Sequence, residues 1–440
     1  MRILSALAAA VLCLSMGGAA CAQPRQDEAA VHDPAIGLYA FPDGREVYVN
    51  YLEDARGLLL VEYPTGRLRL LHRESGENFS IGAAIGAADP AIAHAAFDPN
   101  SVRWRENGES VGRRVHFASE DLNFRSGSGA NAITLAGTIT FPAGRGPLPA
   151  VVLLHGGMAE PRENFIWIVN FFARRGVAVL AYDKRGSGQS GGDWRTASAY
   201  DLADDAQAAI TLLRARHDIA PDRIGLYASS AGNWVVPIVA TRTQVAWIVA
   251  RAATALPERE NLIFEATSDL RANGFGNDAI AAMQALHRRW IAVTDANGAG
   301  WNDLRAALAS ASREPWFRLA RLPGDLPEAN AANRAQIADI IDLQKRNIVD
   351  TPPLWAQVHC PVLIQNGTLD TYVPGVMSAE ILQRTLGGNP NALVRLYPRG
   401  DHAVFESEHG YGRDIPRVSR FVPGFLTDMD AFIARYAVRR

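Results

Sequence analysis

Ser230 is the residue in this chain best placed to act as a nucleophile. It sits in Ile224-Gly225-Leu226-Tyr227-Ala228-Ser229-Ser230-Ala231-Gly232, where a short apolar run meets a small-X-Ser-X-small turn. An apolar, helix-like segment follows from Trp234 to Ala240. A serine on a tight strand-to-helix turn exposes its hydroxyl for attack on a carbonyl. Strand and helix cross closely at such a turn, so the residues two before and two after the nucleophile must be small. Ser230 has Ala228 and Gly232 there; Ser229 would have Tyr227 and Ala231, and a tyrosine ring does not fit the crossing. Ala228 replaces the first glycine of the strict G-x-S-x-G pattern.

A serine hydroxyl needs a base and a group to orient that base. Downstream, Asn366-Gly367-Thr368-Leu369-Asp370-Thr371-Tyr372-Val373-Pro374 places Asp370 just past an apolar strand and before a turn. His402, in Pro398-Arg399-Gly400-Asp401-His402, follows the next strand at a short loop. His409 is the other histidine beyond Asp370, in the polar stretch Glu406-Ser407-Glu408-His409-Gly410, and His402 is preferred. Acyl transfer also needs backbone N–H donors for the oxyanion. Ala231 follows the nucleophile, and His155-Gly156-Gly157-Met158 follows a buried strand. Gly157 is assigned as the second donor, with Met158 as the one-residue alternative. His155 reads as a structural anchor of that loop.

The elements that must hold these groups alternate. Ala150–His155, Val177–Tyr182, Ile224–Tyr227, Val245–Ala250, Pro361–Gln365 and Leu393–Tyr397 are apolar runs suited to a buried parallel sheet. Between them lie helix-like stretches, Phe165–Arg174 and the alanine-rich Tyr200–Arg216. This alternation predicts an α/β fold with a doubly wound, mostly parallel sheet, occupying 119–255 and 355–440. From 256 to 354 the strands stop, and Ala279–Ile291, Asn302–Ser310 and Asn330–Asn347 read as helices. That length exceeds an ordinary connection and predicts a helical cap insertion. Residues 23–118 read as a small β-rich accessory domain of hairpins, with turns at Pro42-Asp43-Gly44 and Pro64-Thr65-Gly66. His32, His72 and His94 within it read as structural or surface histidines.

Arg2, the apolar run Ile3–Met16 and the Ala20-Cys21-Ala22 site predict a signal peptide over 1–22 and an exported, periplasmic or secreted protein. Lipid attachment at Cys21 is the alternative. The apolar run is too short to span a bilayer comfortably. Cys360 alone certainly remains in the mature chain, so neither an intrachain disulfide nor a cysteine metal cluster is expected. A net charge of −2 gives no basic field for nucleic acid. The positive charge is nearly all arginine, with only Lys184 and Lys345 as lysines.

Taken together, Leu153-Leu154-His155-Gly156-Gly157, Tyr182-Asp183-Lys184-Arg185-Gly186-Ser187-Gly188-Gln189-Ser190-Gly191, the Ser230 turn, Gly367–Pro374 and Gly400-Asp401-His402 resemble the α/β-hydrolase superfamily. The resemblance covers about 130–255 and 355–440 and is nearest to its exported bacterial esterase or serine-aminopeptidase-like branch. It implies hydrolysis of an ester, thioester or amide with no metal or cofactor, on a small acyl ester or short peptide. It also implies that Asp183 and Arg185 buttress the loop beside the site. The expected reaction is carboxylic ester cleavage. Two alternatives stay open: a peptidase, with Glu258, Glu260 or Glu265 holding the substrate amine, and a non-catalytic binding protein on the same fold.

Overall fold

The computed structural model describes residues 33–438 apart from 53–56, 87–89, 130–131, 145 and 347. The predicted signal segment and His32 lie outside the described residues. The chain first builds eight antiparallel strands: β1 (Gly37–Ala40), β2 (Glu46–Leu52), β3 (Gly57–Tyr63), β4 (Leu68–Ser75), β5 (Asn78–Ile81), β6 (Ala93–Asp98), β7 (Ser101–Arg105) and β8 (Glu109–Val115). β1 pairs with β8, Leu38 opposite Val115, so the hairpins close into a barrel rather than an open meander. Closure removes the unpaired edges that an open sheet of this size would expose.

The barrel is filled by side chains. Tyr39, Val47, Val49, Leu60, Phe79 and Trp104 form its apolar core. The run Leu58-Leu59-Leu60-Val61 in β3 is buried on both faces. Leu58 and Leu60 point inward, whereas Leu59 and Val61 join the same apolar cluster as Phe172, Trp247, Phe421 and Phe425 of the main body. The barrel therefore shares a hydrophobic core with the sheet behind it.

That sheet contains β9 (Ala118–Ser126), β10 (Ile133–Phe141), β11 (Leu148–Leu154), β12 (Ala178–Tyr182), β13 (Ile219–Ser229), β14 (Ile248–Arg251), β15 (Val362–Gly367) and β16 (Ala392–Tyr397). Their spatial order is β16-β15-β14-β13-β11-β12-β10-β9. β11 to β16 pair in parallel, and β10 runs antiparallel to both β9 and β12. The order reverses around β11, where α/β sheets open a crevice at the carboxyl ends of their strands. Helices α1 (Ile166–Arg174), α2 (Ala199–Arg214) and α3 (Gly232–Arg242) cover the sheet. The start of α2 is fixed by a capping box between Ser198 and Asp201.

Between β14 and β15 come α4 (Glu258–Ala272), α5 (Asn277–Asp295), α6 (Trp301–Ala311), α7 (Arg334–Arg346) and the short α8 (Thr351–Trp355). α4 is a helix that the apolar pattern does not announce. α4 to α7 and the turns between them have their own core, including Met283, Leu286, Trp290, Trp301, Leu304 and Ile340. α9 (Gly375–Thr385) and α10 (Phe425–Phe432) complete the layers. Among the described residues, no helix is long and apolar enough to cross a membrane.

Candidate active site

Ser230 lies at the first bend after β13 with φ of +53°, a conformation uncommon for a non-glycine residue. Its N–H donates to Arg251 O at the end of β14 (3.1 Å), and Asn233 Nδ2 donates to Ser230 O (3.1 Å). The crossing is as tight as the small-residue pattern demands. A Cβ added to Gly232 would stand 2.8 Å from His155 O and 3.3 Å from Ala228 Cβ.

The sheet brings the other two predicted side chains to this serine. His402 Nε2 is 3.0 Å from Ser230 Oγ. His402 Nδ1 lies 3.0 and 2.9 Å from Asp370 Oδ1 and Oδ2. Asp370 Oδ1 also accepts the N–H groups of Tyr372 and Val373, both at 2.8 Å. The carboxylate is thus locked, with its side chain fully buried. Because a carboxylate only accepts, the proton of the imidazole belongs on Nδ1, leaving Nε2 to accept from the serine. His409 is used elsewhere: its Nδ1 faces Asp414 Oδ1 at 3.2 Å.

Several positioning groups were not legible as such. Arg251 Nη1 donates to His402 O (2.8 Å) and fixes the histidine's backbone. The Tyr372 ring packs against the His402 imidazole, centroids 4.9 Å apart. On the glycine side, Gly156 N–H is already taken by Glu160 Oε2 (2.7 Å). Lys184 Nζ donates to Gly156 O (2.6 Å) and Met158 O (3.0 Å), pinning the backbone on both sides of Gly157. Gly157 and Ala231, the predicted donors, border one cavity of about 160 Å³, while the Met158 side chain is exposed. The scarcity of lysine reads as a matter of base composition, so nothing in the sequence marks Lys184 for this role.

The loop expected to be buttressed is held by buried charge. Asp183 accepts Arg162 N–H (2.8 Å) and Gln189 N–H (2.7 Å). Arg185 grips Asp205 through two bonds of 2.8 Å. His155 is an anchor: its Nε2–H donates to Tyr182 O (2.6 Å), and burial pushes its pKa down to about 3, so it stays neutral.

The same cavity is walled by the inserted helices. Leu262, Trp290, Leu322 and Leu343 line it, together with Trp234 of α3. Arg259 and Arg321 border it too, but each is paired, with Asp295 and with Glu265 and Asp269. Of the three glutamates considered for an amine, Glu258 borders this cavity, Glu265 is held by Arg321, and Glu260 is exposed. Burial raises the Glu265 carboxyl to about 7, against the pull of Arg321 and His402.

Burial likewise raises the Glu258 carboxyl from 4.5 to about 7, opposed by Lys184. An acid with a raised folded pKa binds more protons folded than unfolded. Its contribution to stability is therefore fully present below 4.5 and is lost as pH rises through about 7. Relative to Glu258→Gln, the wild type should gain melting temperature as pH is lowered across that window. A difference in Tm that does not change with pH would contradict this account of Glu258.

Residues 151–411 match the profile of the Alpha/beta hydrolase family. The esterase EstD of Thermotoga maritima is 32% identical over 133 residues, which is 29% of this chain and 32% of that esterase. The uncharacterized protein YfhR of Escherichia coli K12 is 32% identical over 96 residues, 21% of this chain and 32% of YfhR. The chain thus spans about a third of the length of these curated relatives. Among solved structures, the Pyrococcus furiosus esterase Pf2001 is 16% identical with a TM-score of 0.43, covering 73% of this chain and 92% of that one. Proline iminopeptidase of Mycobacterium smegmatis is 16% identical with a TM-score of 0.41, covering 72% and 99%. Since the family profile extends over more than half of the 440 residues, the chain belongs to the Alpha/beta hydrolase family.

Proposed function

We propose that this hydrolase cleaves a carboxylic ester or thioester through an acyl-enzyme on Ser230. The observation that carries the reading is the unbroken chain from Ser230 Oγ through the His402 imidazole to Asp370, with contacts of 3.0 and 2.9 Å. His402 Nε2 takes the serine proton as Oγ attacks the acyl carbonyl. Gly157 and Ala231 N–H groups meet the developing oxyanion in the cavity they border. The imidazolium, stabilised by Asp370, protonates the leaving alcohol, and water then releases the acid by the same steps in reverse. No metal or cofactor enters these steps.

The ester reading is supported by the partial likeness to esterase EstD and by the apolar wall of Leu262, Trp290, Leu322 and Leu343, suited to an acyl group. In this reading the inserted helices act as a cap that selects the acyl group. The amide alternative keeps one specific support, Glu258 in the cavity wall, where it could meet a substrate amine. The proposed place of action is outside the cytoplasm, after removal of residues 1–22. Comparing kcat/KM for a series of p-nitrophenyl acyl esters with aminoacyl arylamides tests the substrate class. Esters should be preferred; faster cleavage of the arylamides would reverse the assignment.

A further inference from the structure

The loop that carries His402 continues into a strap, residues 403–422, folded back on itself. Its two arms pair through Glu406 N–H to Arg420 O (2.9 Å) and Val422 N–H to Val404 O (3.0 Å). Near its tip, Thr371 Oγ1, one residue from Asp370, donates to Gly410 O (3.2 Å). At the strap's root, Leu369 N–H donates to Gly400 O (2.8 Å). A buried knot at Asp414 keeps the strap in shape, accepting Ser407 Oγ–H (2.7 Å) and His409 N–H (2.6 Å).

The outer arm is stitched to the N-terminal barrel by backbone hydrogen bonds and by shared apolar packing. Leu68 N–H donates to Ser419 O (2.7 Å), and Phe421 N–H donates to Gly66 O (2.8 Å). Ile85 N–H donates to Val418 O (2.8 Å), and Gly86 N–H to Pro416 O (2.7 Å). Contact at Gly86 is so close that a Cβ there would lie 2.4 Å from Pro416 Cβ and 2.5 Å from its Cα. Phe421 adds ring contacts to Trp167, Phe405 and Phe425 at 5.8, 5.2 and 4.9 Å.

We propose that the N-terminal barrel is the brace of the catalytic histidine: by holding the outer arm of the strap it sets where His402 stands relative to Ser230 and Asp370. The inference rests on the reading of those three residues as the reacting set. Gly86 and Pro416 are accordingly positioning residues, acting on chemistry through the strap. The barrel's contribution is expected on turnover, because the strap acts through the position of His402 against Ser230 Oγ, 3.0 Å away.

Two full-length variants test it. Gly86→Ala forces the seam apart, and Pro416→Gly, at an exposed position, slackens the strap from the other side. For each, kcat on a p-nitrophenyl ester should fall by roughly 10- to 100-fold, the scale of an ångström-level misplacement of reacting groups. KM should stay within about twofold, since uniform binding is untouched. The downfield proton NMR signal of the His402 Nδ1–H held by Asp370 should weaken or broaden, which a general loss of stability in a still-folded enzyme does not cause. Folded variants with wild-type kcat overturn the proposal, and so does a fall in kcat with that signal unchanged. Should Gly86→Ala fail to fold, Pro416→Gly alone decides. The NMR signal needs no turnover, so it separates the two readings. A wild type that neither hydrolyses esters nor reacts with a fluorophosphonate overturns the functional reading and leaves the brace to be judged by the signal.

Discussion

Ser230→Ala should lower kcat on any accepted ester by on the order of 10⁶-fold, because nucleophile and base act as a unit and the loss of one removes the covalent route. The structure gives the reason for so large an effect. Oγ is 3.0 Å from the only described base in contact with it, and Ser230 is held at φ +53° by a turn in which its own N–H is bound to Arg251 O. Alanine fits that turn, so the variant should fold normally and keep its affinity for substrate. A fluorophosphonate should label the wild type at Ser230 and leave the variant unlabelled. Retention of wild-type hydrolysis by the variant would remove Ser230 from the mechanism. Absence of labelling in the wild type would favour a non-catalytic binding protein.

Asp370→Asn should cost about 10⁴-fold in kcat, the scale seen when the orienting carboxylate of such a set becomes an amide. Here the geometry dictates how the amide must sit. Asp370 Oδ1 accepts two backbone N–H groups, from Tyr372 and Val373, so the amide oxygen must take that position. The amide nitrogen then falls where Oδ2 was, 2.9 Å from His402 Nδ1, and donates to it. Nδ1 becomes an acceptor and the ring proton moves to Nε2, facing Ser230 Oγ, where it cannot receive the serine proton. Turnover measured at pH 7 checks this. A variant within tenfold of wild type would show that Asp370 does not set the tautomer.

Ser230 and Asp370 were visible in the sequence because the strands before them, the end of β13 and all of β15, are buried and read as continuous apolar runs, whereas His402 follows the half-exposed edge strand β16. Ser230, Asp370 and His402 come at the ends of β13, β15 and β16, and the parallel sheet carries those ends to one side. Gly232 was legible for steric reasons that need no tertiary knowledge. The groups that hold the set were not. Arg251, Asn233 and Tyr372 act through backbone carbonyls or ring faces, and such partners exist only once the chain has folded. α4 was hidden for a different reason: it buries Asn261, Glu265, Thr267 and Ser268, so no apolar stripe marks it. In the barrel, the runs of β1 to β4 were readable, but closure through β1 and β8 is a non-local pairing that turn residues do not encode.

The shared core between barrel and sheet has a consequence for how the molecule comes apart. Leu59, Val61, Leu68 and Ile85 are buried against Phe172, Trp247, Phe405 and Phe421 in one cluster. Parting the two would expose both sets to water at once, and burial of each large apolar side chain is worth ~1.5–3 kcal/mol. The chain should therefore melt in a single cooperative transition, and the hydrolase portion should be no independent folding unit when excised. What the sequence divides into an accessory module and an enzyme is, thermodynamically, one body.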